Sequence, residues 1–358
     1  MFRLLALFFL SSTLLLAKTP QTDFFPFRPE DAKQRAEIAR LNAEITKKLT
    51  PAAKAGNAKA QLKVAQAYWT PNGVMGTLKE QEQARYWYSK AAAQGSAEAQ
   101  WCMAFMQECG IACKKDKKAA LVWMKKAAQN GHSEAQFTLS RRYEKKFRPD
   151  LRESFYWAQK AALQGHKDAQ LDLSFKYSSG KGTRKDLQSA FHWAQMAAKH
   201  DCVYAHYRLA QLYHHGTGVK RDLAQAAKWY EKAALEEHKE SACEYGIMLY
   251  VGQGVKKDLK AAATYLSFAA AFGSKRAQYS MGAMYLRGHH YKKDEEKAIE
   301  FFKKAAAQSF APAQYVLATI YLGKRDFEKA TNWAHLAERN GSESATLLLK
   351  TIKDLTKH

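Results

Sequence analysis

The chain has 358 residues, of which 47% are hydrophobic and 25% are charged, so it has enough apolar content for a sizeable core and too little charge for a disordered chain. Its net charge of +23 favours acidic partners, in a salt-dependent way. No apolar run reaches the roughly 18 residues of a membrane span, and five cysteines are too few for a disulfide scaffold of this size.

Residues 1–17 are predicted to be a secretory signal peptide. Arg3 is their only charged residue, and an uncharged stretch from Leu4 to Ala17 precedes Lys18. An uncleaved membrane anchor is the alternative, although the run is short for a span. We therefore expect an exported chain, periplasmic or secreted, with no transmembrane span after signal cleavage.

Residues 18–55 are predicted to be an N-terminal segment and a capping helix. A polar helix is expected from Pro29 to Leu49, and Pro51 to Gly56 resembles the end of a second helix. Its apolar side would carry Ala36, Ile38, Leu41 and Ile45. The preceding segment, Asp23-Phe24-Phe25-Pro26-Phe27, either binds a partner or folds back on an apolar surface.

Residues 56–340 contain a pattern with a period near 36, which predicts eight repeats. In seven of them an Asp is followed seven residues later by an aromatic residue, and Glu80–Trp87 is an altered eighth copy. The seven pairs are Asp116–Trp123, Asp150–Trp157, Asp186–Trp193, Asp222–Trp229, Asp258–Tyr265, Asp294–Phe301 and Asp326–Trp333.

Each repeat is predicted to form two helices. The first carries an Ala-x-Ala-Gln pattern and ends at a glycine-rich turn such as Gly216-Thr-Gly218. The second starts at the Asp, whose carboxylate can accept the free amide hydrogens of the first turn. Stacked repeats bury one continuous core, so we expect an all-α solenoid, closed by a C-terminal capping helix within residues 341–358.

This pattern, most complete from Tyr204 to Ala234 and from Ser241 to Gly273, resembles the Sel-one-like repeat family, relatives of tetratricopeptide repeats. The resemblance implies a right-handed α/α superhelix whose first helices line a concave groove. It also implies a non-enzymatic adaptor that binds a protein or peptide. Many bacterial members are exported and linked to the envelope or to host interaction.

By resemblance to tetratricopeptide repeats, the residue after the repeat Gln, and the one four further on, should point into the groove. Aromatic rings there would suit an extended peptide or a partner helix. The alternative is that the rings pack between adjacent first helices. The predicted partner-binding residues are Trp101, Phe105, Phe137, Arg141, Phe175, Tyr207, Gln211, Tyr279 and Tyr315.

Lysines cluster in the turns and would form one basic edge. Such an edge would attract acidic proteins, anionic lipids or anionic envelope polymers, or would simply be solvated. Nucleic acid is not expected as a partner, because export argues against it. The lysines are Lys114, Lys115, Lys117, Lys118, Lys256, Lys257, Lys292 and Lys293.

The cysteines offer one local pair. Cys109 and Cys113 bracket a short turn, so a disulfide between them is plausible in an exported chain. The pairing of Cys102, Cys202 and Cys243 stays open.

Enzyme motifs are weak. Ser178 and Lys181 match a Ser-x-x-Lys pattern without the companion Lys-Thr-Gly, and a β-lactam or cell-wall hydrolase remains only because some exported relatives have been described as β-lactamases. No cofactor and no metal site is expected, since the histidines have no carboxylate or cysteine at ligand spacing.

Overall fold

The computed structural model describes residues 32–70, 75–145 and 147–356, and this part of the chain consists of eighteen α-helices without a strand. The predicted all-α repeat fold is thereby confirmed. The predicted signal peptide and the segment 23–27 lie outside the described residues. The helices are α1 (Ala32–Lys54), α2 (Ala58–Trp69), α3 (Leu78–Ala93), α4 (Ala97–Cys109), α5 (Lys117–Gln129), α6 (Ser133–Glu144), α7 (Leu151–Leu163), α8 (Lys167–Ser179), α9 (Leu187–Ala198), α10 (Val203–His215), α11 (Leu223–Leu235), α12 (Lys239–Val251), α13 (Leu259–Ala271), α14 (Lys275–Arg287), α15 (Glu295–Ala306), α16 (Ala311–Gly323), α17 (Phe327–Arg339) and α18 (Glu343–Leu355).

The helices form two compact units, residues 1–166 and residues 167–358. In the first unit α1 packs on α2, and the pairs α2–α3, α4–α5 and α6–α7 follow in order. In the second unit the pairs run from α8–α9 to α16–α17, and α18 packs on α17. We call the first helix of each pair the A helix and the second the B helix.

The predicted Asp residues begin the B helices. Asp116, for example, accepts hydrogen bonds from the backbone N–H groups of Lys118 at 2.9 Å and Ala119 at 3.0 Å. The first repeat differs, because Thr77 caps α3 and Glu80 returns a hydrogen bond to the Thr77 N–H at 2.7 Å. Glu80 therefore completes a capping box instead of replacing the capping Asp.

The glycine-rich turns pack against the preceding repeat. Gly216 ends α10 in the left-handed conformation at φ 68°, and Gly218 follows at φ 73°. A Cβ on Gly218 would lie 1.8 Å from the carbonyl oxygen of Leu187, the first residue of α9. Because this contact is with backbone, only glycine fits, and the second glycine of the turn fixes the spacing between successive repeats.

The N-terminal helix differs from the expectation. The helix α1 runs from Ala32 through Pro51 to Lys54, whereas the expected helix ended at Leu49. Proline removes one helical hydrogen bond, but Leu49 and Ala53 pack into the core formed with α2 on either side of it. Tertiary packing therefore outweighs the local breaking signal.

Candidate functional site: the face of the A helices

The repeat glutamine is a buried joint between repeats. Gln100, 3% exposed, donates from Nε2 to the carbonyl oxygen of Ala92 at 3.0 Å. Its Oε1 accepts from Nδ2 of Asn130 at 2.9 Å. One side chain thus ties its A helix to the B helix before it and to the end of the B helix that follows.

The same joint recurs along both units. Gln61, Gln136, Gln278 and Gln314 each donate to a carbonyl eight residues earlier and accept from an amide side chain 26 to 33 residues later. His206 replaces the glutamine, with Nε2 at 3.2 Å from Ala198 O and Nδ1 at 3.1 Å from Glu236 Oε1. Within each unit, these joints tie A helices to the neighbouring B helices, which makes the exposed face of those A helices a preformed surface.

The aromatic residue after the joint is only partly buried. Trp101 stacks on the ring of His132, with 5.4 Å between centroids. His132 caps α6, because its Nδ1 accepts from the Ala135 N–H at 3.2 Å. The Nε2 proton is then available to Glu98, whose Oε2 lies 3.0 Å away. This hydrogen bond from His132 is the main cause that lowers the pKa of Glu98.

Equivalent rings contact the residue that begins the next A helix. The contacts are Phe137 with His166 at 4.8 Å, Tyr207 with His238 at 4.7 Å and Tyr279 with Phe310 at 5.7 Å. Tyr315 is also partly buried, against the core that contains α18. Each of these rings packs on one side and keeps an exposed remainder, so a role in binding a partner stays a prediction.

One predicted groove residue is wrong. Phe105 is 8% exposed and packs edge-on against Trp69, with 6.3 Å between centroids. A ring enclosed in this way has no surface to offer a partner. At the same position of other repeats, Phe175 is 47% exposed, Arg141 is exposed and Gln211 is half-buried.

An arginine that the sequence analysis did not select lies beside Phe175. Arg208 on α10 donates from Nε to Ser174 Oγ at 3.2 Å and from Nη2 to Ser178 Oγ at 2.7 Å. Its guanidinium carbon lies 4.4 Å from the centre of the Phe175 ring. Two serines one turn apart on α8, facing an arginine one repeat later, are a signal that could have been read from the sequence.

These contacts bear on the hydrolase alternative. The Ser178 hydroxyl donates to the carbonyl oxygen of Phe175 at 3.0 Å, and its oxygen accepts from Arg208. A nucleophilic serine needs its proton directed to a base. Ser178 directs its proton to the backbone of its own helix, so the geometry assigns it a structural contact.

Further polar groups line the A helices α10, α12 and α14. Glu244 forms an ion pair with Arg276, and burial raises the pKa of the Glu244 carboxyl while Arg276 opposes that rise. Burial also raises the pKa of Tyr207 and lowers the pKa of His214. The A helices of the second unit therefore carry aromatic, acidic and basic groups side by side.

The lysines and the cysteines can also be placed. All eight predicted lysines are exposed, with Lys117 and Lys118 in the first turn of α5 instead of the preceding turn. Cys109 and Cys113 are free thiols, so the predicted disulfide is not formed, and Cys113 Sγ instead lies 3.6 Å from the carbonyl oxygen of Met106. Cys102, Cys202 and Cys243 are buried and unpaired.

Two further properties concern residues 32–70, 75–145 and 147–356. Within these ranges, no three His, Cys, Asp or Glu side chains cluster in a way that could hold a metal ion. Over the same ranges, none of the helices combines the length and the apolar character that crossing a membrane requires.

Comparisons with known proteins agree with this architecture. The family model described as "Sel1 repeat" matches eight consecutive segments, and α2–α3 to α16–α17 each fall in one of them. The segments are residues 58–96, 97–132, 133–166, 167–202, 203–238, 239–273, 275–310 and 311–342. None of the curated proteins is detectably similar in sequence.

Solved structures are also similar. The antigen c5321, described as a protective antigen of uropathogenic Escherichia coli with an SLR fold, shares 30% identity at a TM-score of 0.71, over 86% of this chain and 67% of that one. A Sel1 repeat protein from Oxalobacter formigenes shares 29% identity at a TM-score of 0.54, over 83% of this chain and 84% of that one. Proteins built from Sel1 repeats generally mediate protein–protein interaction and are generally non-catalytic. The chain belongs to the Sel1 repeat family.

Proposed function

We propose that this chain is a non-enzymatic scaffold that binds a peptide or protein partner on the face of the A helices in its second unit. The observation that carries the proposal is a set of aromatic rings on the A helices α8 and α10. Phe175 is 47% exposed and Tyr204 is 55% exposed, and the partly buried Tyr207 lies one turn from Tyr204. Exposed aromatic rings on a rigid support give large contact area at small entropic cost.

Neighbouring side chains hold the helix that carries Tyr204 and Tyr207 in place. His206 ties α10 to the end of α9 and to the end of α11 through its two ring nitrogens. Tyr204 and Tyr207 both contact the ring of His238, which begins α12. A partner that buries these rings would meet little cost in ordering them, because their positions are already set.

The test is selection of peptides from a displayed random library, followed by affinity measurements on the selected peptides. Changing Phe175, Tyr204 and Tyr207 together to Ala should weaken binding at least about tenfold, as truncating interface aromatics typically does. The matched control changes Leu235 and Phe272 to Ala, which are 70% and 61% exposed but lie at the ends of the B helices α11 and α13. Equal affinity of the wild-type chain and the A-helix variant would refute the proposal.

The biological setting that we propose is an exported bacterial protein acting at the envelope or on a host. Support comes from the signal-like residues 1–17 and from the similarity to c5321, which is described as a protective antigen. Fractionation of bacteria that express the full chain tests export directly. A product found only in the cytoplasm, with residues 1–17 still attached, would refute it.

Binding of anionic envelope polymers is a second candidate, favoured by the exposure of all eight lysines, which include Lys256, Lys257, Lys292 and Lys293 in the second unit. Such binding should fall steeply between low and high salt, whereas binding on the aromatic face should change little. Neutralising these four lysines should abolish the binding, and polymer binding that resists salt would refute the role of the lysines.

A further inference from the structure

Two arginines of the A helices pair with a glutamate of the preceding A helix, and Arg208 on α10 does not. Arg142 pairs with Glu108 on the A helix before it, and Arg276 pairs with Glu244 in the same way. Throughout the part of the chain that the structure describes, no carboxylate lies within ion-pair distance of Arg208, which contacts two neutral hydroxyl groups and one ring.

Burial makes this lack of a counter-ion costly. Desolvation lowers the pKa of the Arg208 guanidinium, although an arginine stays protonated at neutral pH. A half-buried charge without a partner is unfavourable, because two neutral hydroxyl groups replace only part of its hydration. A ligand that brings a negative charge would remove that penalty.

The geometry leaves one side of the guanidinium available. Nε and Nη2 are engaged by Ser174 and Ser178, and the Phe175 ring lies against the planar group. Nη1 donates to nothing in the described structure, so its hydrogens and the second Nη2 hydrogen form an unused fork. Such a fork matches the two oxygens of one carboxylate.

We propose that Arg208, oriented by Ser174 and Ser178 against Phe175, binds a carboxylate of the partner. This inference rests on the proposed function and specifies its ligand chemistry: the bound segment carries an acidic side chain or a chain-terminal carboxylate. A single guanidinium suits the one charge of a carboxylate, whereas the two charges of a phosphate are usually met by several cations. Tyr204 and Tyr207, one turn or less from Arg208 on α10, would hold the neighbouring residues of that segment.

The experiment is an NMR titration of the full chain labelled at arginine Nε, with the Arg208 signal assigned from its absence in Arg208→Lys. The probes are N-acetylglutamate α-amide for an acidic side chain, N-acetylalanine for a terminal carboxylate, N-acetylglutamine amide as the neutral match and inorganic phosphate. We expect a saturable shift of the Arg208 signal with a carboxylate probe, and the probe that saturates at lower concentration identifies the source. The Arg276 signal should not move, since Glu244 already occupies its partner position.

Three outcomes would overturn the inference: no saturable shift at Arg208, equal shifts at all arginines, or saturation by phosphate at lower concentration than by either carboxylate. The double variant Ser174→Ala and Ser178→Ala keeps the charge but removes the two contacts that orient it. It should weaken carboxylate binding at least about threefold, and unchanged binding would show that the serines do not position Arg208.

The small probes separate this inference from the proposed function. If displayed peptides bind the aromatic face with equal affinity in the wild-type chain and in Arg208→Gln, the proposed function stands and the carboxylate site is refuted. If no peptide binds the aromatic face but the carboxylate probes saturate Arg208, the site stands and the peptide-binding function fails. Circular dichroism confirms that each variant is folded before either result is read.

Discussion

Removing one glutamine joint should destabilise the repeats that it links. Gln314, 3% exposed, donates to the carbonyl oxygen of Ala306 at 3.0 Å and accepts from Nδ2 of Asn340 at 2.9 Å. In Gln314→Ala both hydrogen bonds are lost, at about 1 kcal/mol each, while the Ala306 carbonyl oxygen still accepts from the Ser309 N–H at 3.0 Å. We therefore expect the free energy of unfolding to fall by about 2 kcal/mol.

The assay is urea unfolding followed by circular dichroism, with hydrogen exchange to localise the effect in a repeat array that need not unfold in one step. Amides of α15, α16 and α17 should lose the most protection. Gln314→Met keeps the volume without the hydrogen bonds and should lose nearly as much stability as Gln314→Ala. Asn340→Ala should cost about 1 kcal/mol or less, because Asn340 is exposed. A loss below about 0.5 kcal/mol in Gln314→Ala would refute the role of the joint.

The remaining predictions concern a turn, a pH-sensitive cap and the thiols. Gly218→Ala should lower the free energy of unfolding by about 3 kcal/mol or more, since its Cβ would meet the Leu187 carbonyl. Gly273→Ala, which has open space around it at φ 84°, should lower that free energy only by the backbone strain of about 1–2 kcal/mol. Thermal unfolding of both variants tests this, and equal losses of stability would contradict the account. Burial lowers the pKa of His238, whose neutral Nδ1 caps α12, so the stability that it contributes is present above its ordinary pKa of about 6.5 and is lost as pH falls below it. His238→Ser, which keeps a capping side chain, should flatten that part of the pH profile of stability, and an unchanged profile would exclude His238 as its source. In the native chain an alkylating reagent should modify the half-buried Cys109 and Cys113 before the three buried thiols, because burial raises the pKa values of those three. The buried thiols are Cys102, Cys202 and Cys243. Mass spectrometry that finds a buried thiol modified first would disprove this order.

The repeat architecture was readable from the sequence because its signals are local. An Asp that caps its own helix and a glycine that ends one act within a few residues, so Asp116 and Gly216 were correctly placed without any tertiary information. The same locality explains the failure at Pro51, where a local breaking signal was read as a helix boundary although packing on both sides keeps α1 continuous.

The surface of the A helices was decided by tertiary contacts. Phe105 and Phe175 occupy the same position of their repeats, yet Trp69 packs over the ring of Phe105 while the ring of Phe175 is 47% exposed. The exposure of a ring depends on a side chain about one repeat away, and repeat spacing carries no information about that neighbour's size. The sequence therefore determined where most helices begin and end. Packing between repeats decided which rings remain exposed and left the charge of Arg208 without an acidic partner among the described residues, because burial and charge pairing depend on residues distant in the chain.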